Sequence, residues 1–312
     1  MMYEIVQVGS AGIHADTEMA KRFSVLQLTG KDVPADIATR AADARVLVTS
    51  ASRGASRELM ASLPALEAVC NWGVGTDKVD VAAAREMGIA VSSTPDVLND
   101  CVADLAFALM LAAARRTSEA DRFVKAGEWR AIGDFPETIR VSGKRLGILG
   151  MGRIGEAIAR RGAGFDMAIG YHNRSAKEGA PGTYFADLEE LARWADFLVI
   201  ACPGGEATRH IVNAAVLDAL GPRGIVVNIA RGTVIDEAAL VTALVEGRVG
   251  GAGLDVLEHE PAVPDALKSL DQVVLTPHIG SCTRETRYAM SDLVLRNVVS
   301  WMEGRTLVTP VP

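Results

Sequence analysis

The sequence predicts an α/β protein made of two doubly wound parallel-sheet domains. Three observations predict it. Short apolar runs alternate with helical patterns through most of the chain. The 312 residues exceed one comfortable core. One strand-to-helix turn carries glycines at positions 150, 152 and 155.

The elements follow in order. Residues 5–8, 46–48, 68–70 and 89–91 read as short buried strands, with helical stretches between them at 57–62 and 81–86. This first unit runs from residue 1 to about 98. Asn99 or Asp100 can cap the next helix, and residues 102–116 are rich in alanine and leucine. A helix apolar nearly all round is buried on several sides, which suits a hinge or a subunit interface. A second series begins at Lys144, with strands at 145–149, 167–171, 197–201, 225–229, 253–256 and 273–276. Helices intervene at 154–163, 188–193, 214–220 and 237–246, and a last helix at 284–303 is expected to return to the first unit. Six strands with crossovers make a full dinucleotide-binding (Rossmann) domain.

Composition excludes several classes. Apolar residues at 49% argue against disorder. A net charge of −7 without any Lys/Arg-rich run argues against nucleic acid as a partner. The N-terminus Met1-Met2-Tyr3-Glu4-Ile5-Val6 has neither the basic region nor the apolar stretch of a signal peptide. The longest apolar run, 105–114, is about half of what a membrane span needs. Cys70, Cys101, Cys202 and Cys282 are scattered, which predicts no zinc site and no disulfide framework and fits a reducing cytoplasm.

The glycine turn sits where its chemistry needs it, after the strand 145–149 and before a helix. Gly150 permits the tight turn, Gly152 lets the backbone approach a pyrophosphate, and Gly155 lets helix and strand pack closely. Arg153 and Ile154 open the helix, whose free N–H groups face the phosphates. The next strand ends at Tyr171 and is followed by His172-Asn173-Arg174-Ser175. A reader of NAD places an acid here for the ribose 2′-hydroxyl, yet none is present before Glu178. Arg174, with Asn173 and Ser175, offers a cation and donors to a 2′-phosphate. The expected cofactor is NADPH/NADP, with NADH used less well.

Three further residues follow strands of the second series. They are Arg231 after 225–229, Glu260 in the loop after 253–256, and His278 after 273–276. Ligands bind at such strand ends in doubly wound sheets. Reducing a 2-keto acid needs a hydride and a proton. A histidinium can give the proton, a buried carboxylate beside it can orient it and hold it charged, and a guanidinium can grip the substrate carboxylate. His278 is therefore read as acid/base, Glu260 as its partner, and Arg231 as anchor and carbonyl polariser. Plainer alternatives are a structural histidine, a loop acid and a salt-bridge arginine. Cys282 lies four residues past His278, so a Cys–His nucleophile is weighed and set below the cofactor reading.

At this point the motifs resemble a known family. Gly150-Met151-Gly152-Arg153-Ile154-Gly155, Asn228-Ile229-Ala230-Arg231-Gly232-Thr233-Val234-Ile235-Asp236-Glu237, Gly253-Leu254-Asp255-Val256 through Glu260-Pro261, and Thr276-Pro277-His278-Ile279-Gly280-Ser281 resemble the D-isomer-specific 2-hydroxyacid dehydrogenases. The resemblance implies a catalytic triad at Arg231, Glu260 and His278. It implies that Asp255 contacts the nicotinamide carboxamide and that Ile229 and Ala230 line its pocket, and it adds Pro203, Thr208 and Gly280, with Arg231 and His278, to the cofactor-binding positions.

Gly127-Glu128-Trp129, Gly133-Asp134-Phe135-Pro136 and Asn173-Arg174-Ser175 resemble the glyoxylate/hydroxypyruvate reductase branch and the similar hydroxyphenylpyruvate reductases. The segment Asn71-Trp72-Gly73-Val74-Gly75-Thr76-Asp77 resembles the family's substrate loop, whose N–H groups at Val74 and Gly75 could nest a carboxylate. The implied fold is non-contiguous. A flavodoxin-like substrate domain (1–98 plus 285–312) holds an inserted NAD(P)-binding Rossmann domain (99–284). The long helix contributes to a homodimer, in which Trp129 can reach the partner's site. The function so implied is NADPH-dependent reduction of glyoxylate and hydroxypyruvate. The alternatives are bulkier 2-keto acids such as 2-ketogluconate or hydroxyphenylpyruvate, and a non-catalytic nucleotide-sensing module.

Overall fold

The computed structural model describes residues 3–28, 34 and 36–312. Met1 and Met2 of the N-terminal stretch lie outside the described residues. The chain divides into two compact units, Met1–Leu98 with Ser281–Pro312, and Asn99–Gly280. The second join falls at 280/281, ahead of the 284/285 boundary expected from sequence.

The first unit runs β1 (Ile5–Val8), α1 (Ile13–Arg22), β2 (Val25–Leu28), α2 (Ile37–Arg40), β3 (Val46–Ser50), α3 (Arg57–Ala61), β4 (Ala68–Trp72), α4 (Val81–Glu86) and β5 (Ala90–Ser92). Its five strands are all parallel, in the order β2-β1-β3-β4-β5, which is the flavodoxin-like winding. Central β3 is buried along its whole length, as a strand with helices on both faces must be. Ser56 and Asp80 start α3 and α4 by accepting from Leu59 N and Ala83 N. β2 was not expected. It is an edge strand whose exposed Gln27 interrupts the apolar run.

The second unit runs α5 (Asn99–Arg115), α6 (Thr117–Lys125), β6 (Arg145–Leu149), α7 (Arg153–Ala163), β7 (Ala168–His172), β8 (Thr183–Tyr184), α8 (Leu188–Trp194), β9 (Phe197–Ile200), α9 (Ala214–Leu220), β10 (Ile225–Asn228), α10 (Glu237–Val245), β11 (Gly251–Leu254), α11 (Asp265–Lys268) and β12 (Val273–Leu275). The sheet is parallel, ordered β12-β11-β10-β9-β6-β7-β8. This is the dinucleotide-fold winding with one strand added at an edge. The winding reverses between β6 and β9, so the loops leaving those strands part and open a crevice at the carboxyl edge. The last helix, α12 (Arg284–Gly304), belongs to the first unit and packs on α1 and β4.

Three departures from the sequence reading have physical causes. The sheet has seven strands, because the two-residue β8 is too short to show as a pattern. The long helix stops at Arg115. Arg116 turns left-handed (φ 52°), donates from Nε and Nη2 to the Glu119 carboxylate at 2.6 Å, and lies over the Phe135 ring. The strand expected at 253–256 lies at Gly251–Leu254. Gly253 lets α5 cross closely, since a Cβ there would sit 2.8 Å from the Leu109 Cβ. Asp255 ends it by turning its carboxylate to the next loop.

Candidate active site

The three glycines of the β6–α7 turn separate by what surrounds them. Gly150 has φ +102°, and a Cβ there would lie 2.5 Å from Cys202 N. A Cβ at Gly155 would lie 2.2 Å from the Gly150 carbonyl oxygen. The protein's own packing demands both. Gly152 is different. Its φ of −87° suits any residue, and a Cβ there would meet nothing within 4 Å. Glycine at 152 keeps clear a space outside the protein, at the N-terminus of an eleven-residue helix. An anion on that helix end needs such a space. The turn therefore fits a dinucleotide pyrophosphate.

The ribose-reading end of β7 is more specialised than the sequence suggests. Asn173 Oδ1 accepts from Met151 N at 2.7 Å, so Asn173 braces the glycine turn. Arg174 and Ser175 are exposed, and no carboxylate stands between 172 and 175. Lys177, which the sequence reading missed, reaches Met151 O and Glu156. A second cation three residues after Arg174 was the available signal. In the loop after β9, Thr208 spends its hydroxyl hydrogen on the carbonyls of Pro203 and Gly205.

The loop after β10 is shaped by Asn228, a second residue missed. Its Oδ1 accepts from Ala230 N and its Nδ2 donates to Arg231 O, at 3.0 and 2.9 Å. A polar residue closing the apolar strand Ile225-Val226-Val227 was the signal. Ile229 and Ala230 are buried. Arg231 donates from Nη1 to the Ala230 carbonyl and runs beside Gly204, where a Cβ would crowd its Cγ at 2.6 Å. Gly232 abuts the next loop so closely that a Cβ would fall 1.9 Å from the Leu257 carbonyl carbon. Glu258 accepts from His210 Nε2 and Arg209 at 2.9 Å, lacing the loops after β9 and β11 together.

Those loops bring Glu260 and His278 together. His278 Nδ1 stands 2.9 Å from Glu260 Oε2, while Glu260 Oε1 accepts from Leu257 N at 3.2 Å. Burial opposes charge on Glu260. The His278 hydrogen bond and charge, the Leu257 N–H and the Arg231 guanidinium outweigh it, holding the carboxyl below its ordinary range. An ionised carboxylate only accepts, so Nδ1 is assigned the hydrogen and Nε2 is left for a substrate. The sequence reading expected a buried carboxylate. The pair is half-exposed instead, at 48% for His278 and 38% for Glu260.

Asp255 supports the histidine from below. It is 2% exposed. Oδ1 accepts from Thr276 Oγ1 and Ile279 N at 2.6 and 2.8 Å, and Oδ2 accepts from Gly280 N at 2.8 Å. Its carbonyl takes the N–H of His278, whose φ of +53° is left-handed. Three donors to one carboxylate hold that uncommon backbone in place. Among the described residues no three His, Cys, Asp or Glu form a group that could hold a metal ion, and no helix is long and apolar enough to cross a membrane.

In the first unit, the candidate substrate loop follows β4. Gly73 has φ +141°, and a Cβ there would meet Ala51 Cβ at 2.6 Å. Val74 is exposed. Trp129, in the second unit, is also exposed, at 58%.

Comparison with known proteins agrees with this geometry. The family model for the NAD-binding domain of D-isomer specific 2-hydroxyacid dehydrogenases matches residues 107–280. Hydroxyphenylpyruvate reductase of Plectranthus scutellarioides is 48% identical, covering 96% of this chain and 95% of the relative. A glyoxylate/hydroxypyruvate reductase A of Arabidopsis thaliana is 46% identical over the same shares. Among solved structures, the NADPH-dependent glyoxylate/hydroxypyruvate reductase of Sinorhizobium meliloti, in complex with NADP and malonate, superposes with TM-score 0.92. It shares 41% identity, over 99% of this chain and 97% of that one. With the dinucleotide turn, the His278–Glu260 pair and these relatives in agreement, the chain belongs to the D-isomer specific 2-hydroxyacid dehydrogenase family.

Proposed function

We propose that this protein is an NADPH-dependent reductase of small 2-keto acids, glyoxylate and hydroxypyruvate foremost, yielding D-2-hydroxy acids. The observation that carries the reading is the His278–Glu260 pair, with Nε2 left over on the ring. Bound at the Gly152 turn, NADPH supplies a hydride to the keto carbon. His278 delivers the proton to the keto oxygen from Nε2. Glu260 keeps the ring in that tautomer and orientation. Arg231 grips the substrate carboxylate and polarises the carbonyl. Arg174 and Ser175 take the 2′-phosphate, and Gly150, Arg153, Ile154, Pro203, Thr208, Ile229, Ala230, Asp255 and Gly280 form the cofactor's surroundings. The first unit serves as substrate domain, and the N–H groups of Val74 and Gly75 bind a carboxylate. Exposed Trp129 and Ile132, the latter 98% exposed, support a homodimer. Four free cysteines, one of them exposed, support a cytoplasmic setting.

Bulkier keto acids are the second reading, since a 2-ketogluconate reductase of Gluconobacter oxydans is 43% identical over 86% of this chain. The test is a panel of glyoxylate, hydroxypyruvate, 2-ketogluconate and hydroxyphenylpyruvate with NADPH, on the wild type and on His278→Asn. Turnover of the small acids should lead. The variant should lose about 10²- to 10⁴-fold in kcat with its NADPH Kd intact. Undiminished turnover by His278→Asn would overturn the acid/base role, and no turnover of any keto acid would overturn the whole reading.

A further inference from the structure

Asn71 is the last buried polar side chain of β4, wholly enclosed at 0% exposure. Its Nδ2 donates to two carbonyls of the following loop, Gly73 O at 3.2 Å and Gly75 O at 2.9 Å. Gly73 is held a second way. It donates its N–H to Thr94 Oγ1 at 3.1 Å and accepts from Thr94 N at 3.0 Å. Thr94 is also fully buried. Two buried side chains from neighbouring strand ends thus fix one short glycine-rich loop.

The consequence follows from peptide geometry. In a planar trans peptide, the C=O of one residue and the N–H of the next point in opposite directions. Turning the Gly73 carbonyl inward onto Asn71 turns the Val74 N–H outward. Turning the Gly75 carbonyl inward does the same for the Thr76 N–H. Gly75 N–H lies between two pinned planes and has little freedom left. Glycine at 73 and 75 otherwise leaves such a loop free to flip its peptides. Without the Asn71 amide, the Gly75 carbonyl would also lose its donor, while the Gly73 carbonyl would keep only the Thr94 N–H.

We propose that Asn71 is a positioning residue for substrate. It presets the Val74–Thr76 amides as a nest for the 2-keto acid carboxylate without touching the substrate itself. Outward N–H groups at Val74 and Thr76, on either side of a constrained Gly75, form the kind of concavity that binds a carboxylate. Because the nest is set before substrate arrives, Asn71 acts on substrate affinity. The proton donor and the cofactor turn belong to the other unit. This inference rests on the reading of the protein as a 2-keto acid reductase.

The experiment uses the full chain with NADPH. Asn71→Asp keeps the shape but replaces the amide donor with a carboxylate facing two carbonyls. It should raise KM for glyoxylate and hydroxypyruvate about 10- to 100-fold, the loss expected when hydrogen bonds to a charged carboxylate are misaimed. Inhibition by oxalate should weaken in parallel. The limiting kcat and the NADPH Kd, read by nicotinamide fluorescence, should stay within about threefold of wild type. Asn71→Ser, which keeps one shorter donor, should fall between; it carries the test if Asn71→Asp does not fold. An unchanged KM in a folded variant overturns the proposal, as does a fall in kcat at constant KM. If the wild type turns over keto acids while the variants keep their KM, only this inference fails. A wild type without keto acid turnover fails the functional reading first.

Discussion

Gly152 and Gly155 lie three residues apart in one motif, yet alanine at each should do opposite things. At Gly155 the new Cβ would stand 2.2 Å from the Gly150 carbonyl oxygen, so helix and strand must part by about 1 Å to restore ordinary contact. Overpacking of this kind costs about 1–3 kcal/mol, and the better helix propensity of alanine returns about 1 kcal/mol. The net loss is up to about 2 kcal/mol, or several degrees of Tm. At Gly152 the backbone is ordinary and the space is empty. The reduced entropy of the unfolded chain, about 0.4–1 kcal/mol, offsets the weaker N-cap, so cofactor-free stability should hold within about 0.5 kcal/mol. NADPH should nonetheless bind at least about tenfold more weakly, a loss of about 1.4 kcal/mol, because the methyl occupies the phosphate approach. The assays are thermal unfolding without cofactor and fluorescence titration with NADPH. Normal NADPH affinity in Gly152→Ala would refute the assignment of that space to the pyrophosphate. Wild-type stability in Gly155→Ala would refute the packing argument.

Two further outcomes test the site. Arg174→Ala should lower kcat/KM with NADPH about 10- to 100-fold and leave NADH nearly unaffected, since only a 2′-phosphate makes charge-assisted bonds to the guanidinium; equal losses with both cofactors would show a general defect. Glu260→Gln removes a carboxyl held below its ordinary value of 4.5. A depressed folded-state value contributes stability that is present above 4.5 and lost as pH falls through the folded value. The stability gap between wild type and variant should therefore be seen at neutral pH and close in that acid range. It should be no more than about 1 kcal/mol, because solvent screens a half-exposed pair. A gap that widens in acid would contradict the depressed carboxyl.

The fold was legible where buried strands read as unbroken apolar runs, as in β3, β9 and β10. It was illegible where tertiary contact decides. Gly251-Ala252-Gly253 looks too small for a central strand, and it forms one because α5 lies against it. Arg116 reads as the end of a helix, while its pairing with Glu119 turns the chain and starts another. Of the candidate site, the Glu260–His278 pair was legible because each follows a strand of one parallel sheet, and parallel strands carry their following loops to one edge. What the sequence could not show is which polar atoms the protein has already used.

That use separates candidates that share a motif. Asn173 and Arg174 are adjacent, and both were read as donors to the cofactor's ribose end. Asn173 has spent its Oδ1 on Met151 N, so mutating it disturbs the glycine turn before it disturbs any ligand. Arg174 is exposed, and its guanidinium is the natural partner of a 2′-phosphate. Asp255 and Glu260 divide the same way. Asp255 gives three of about four acceptor positions to the loop that carries His278, which leaves one for a carboxamide. Its first task is to hold the histidine's backbone left-handed. Glu260 gives one oxygen to its own loop and the other to the ring. A substitution at Asp255 therefore acts on both position and binding, and cofactor affinity alone cannot measure its role. The residues best placed to report on chemistry are those with hydrogen-bonding capacity unspent. His278 Nε2 and the Val74 N–H meet that condition, one in each unit, and each sits on a loop held by hydrogen bonds to a buried neighbour, Asp255 or Asn71.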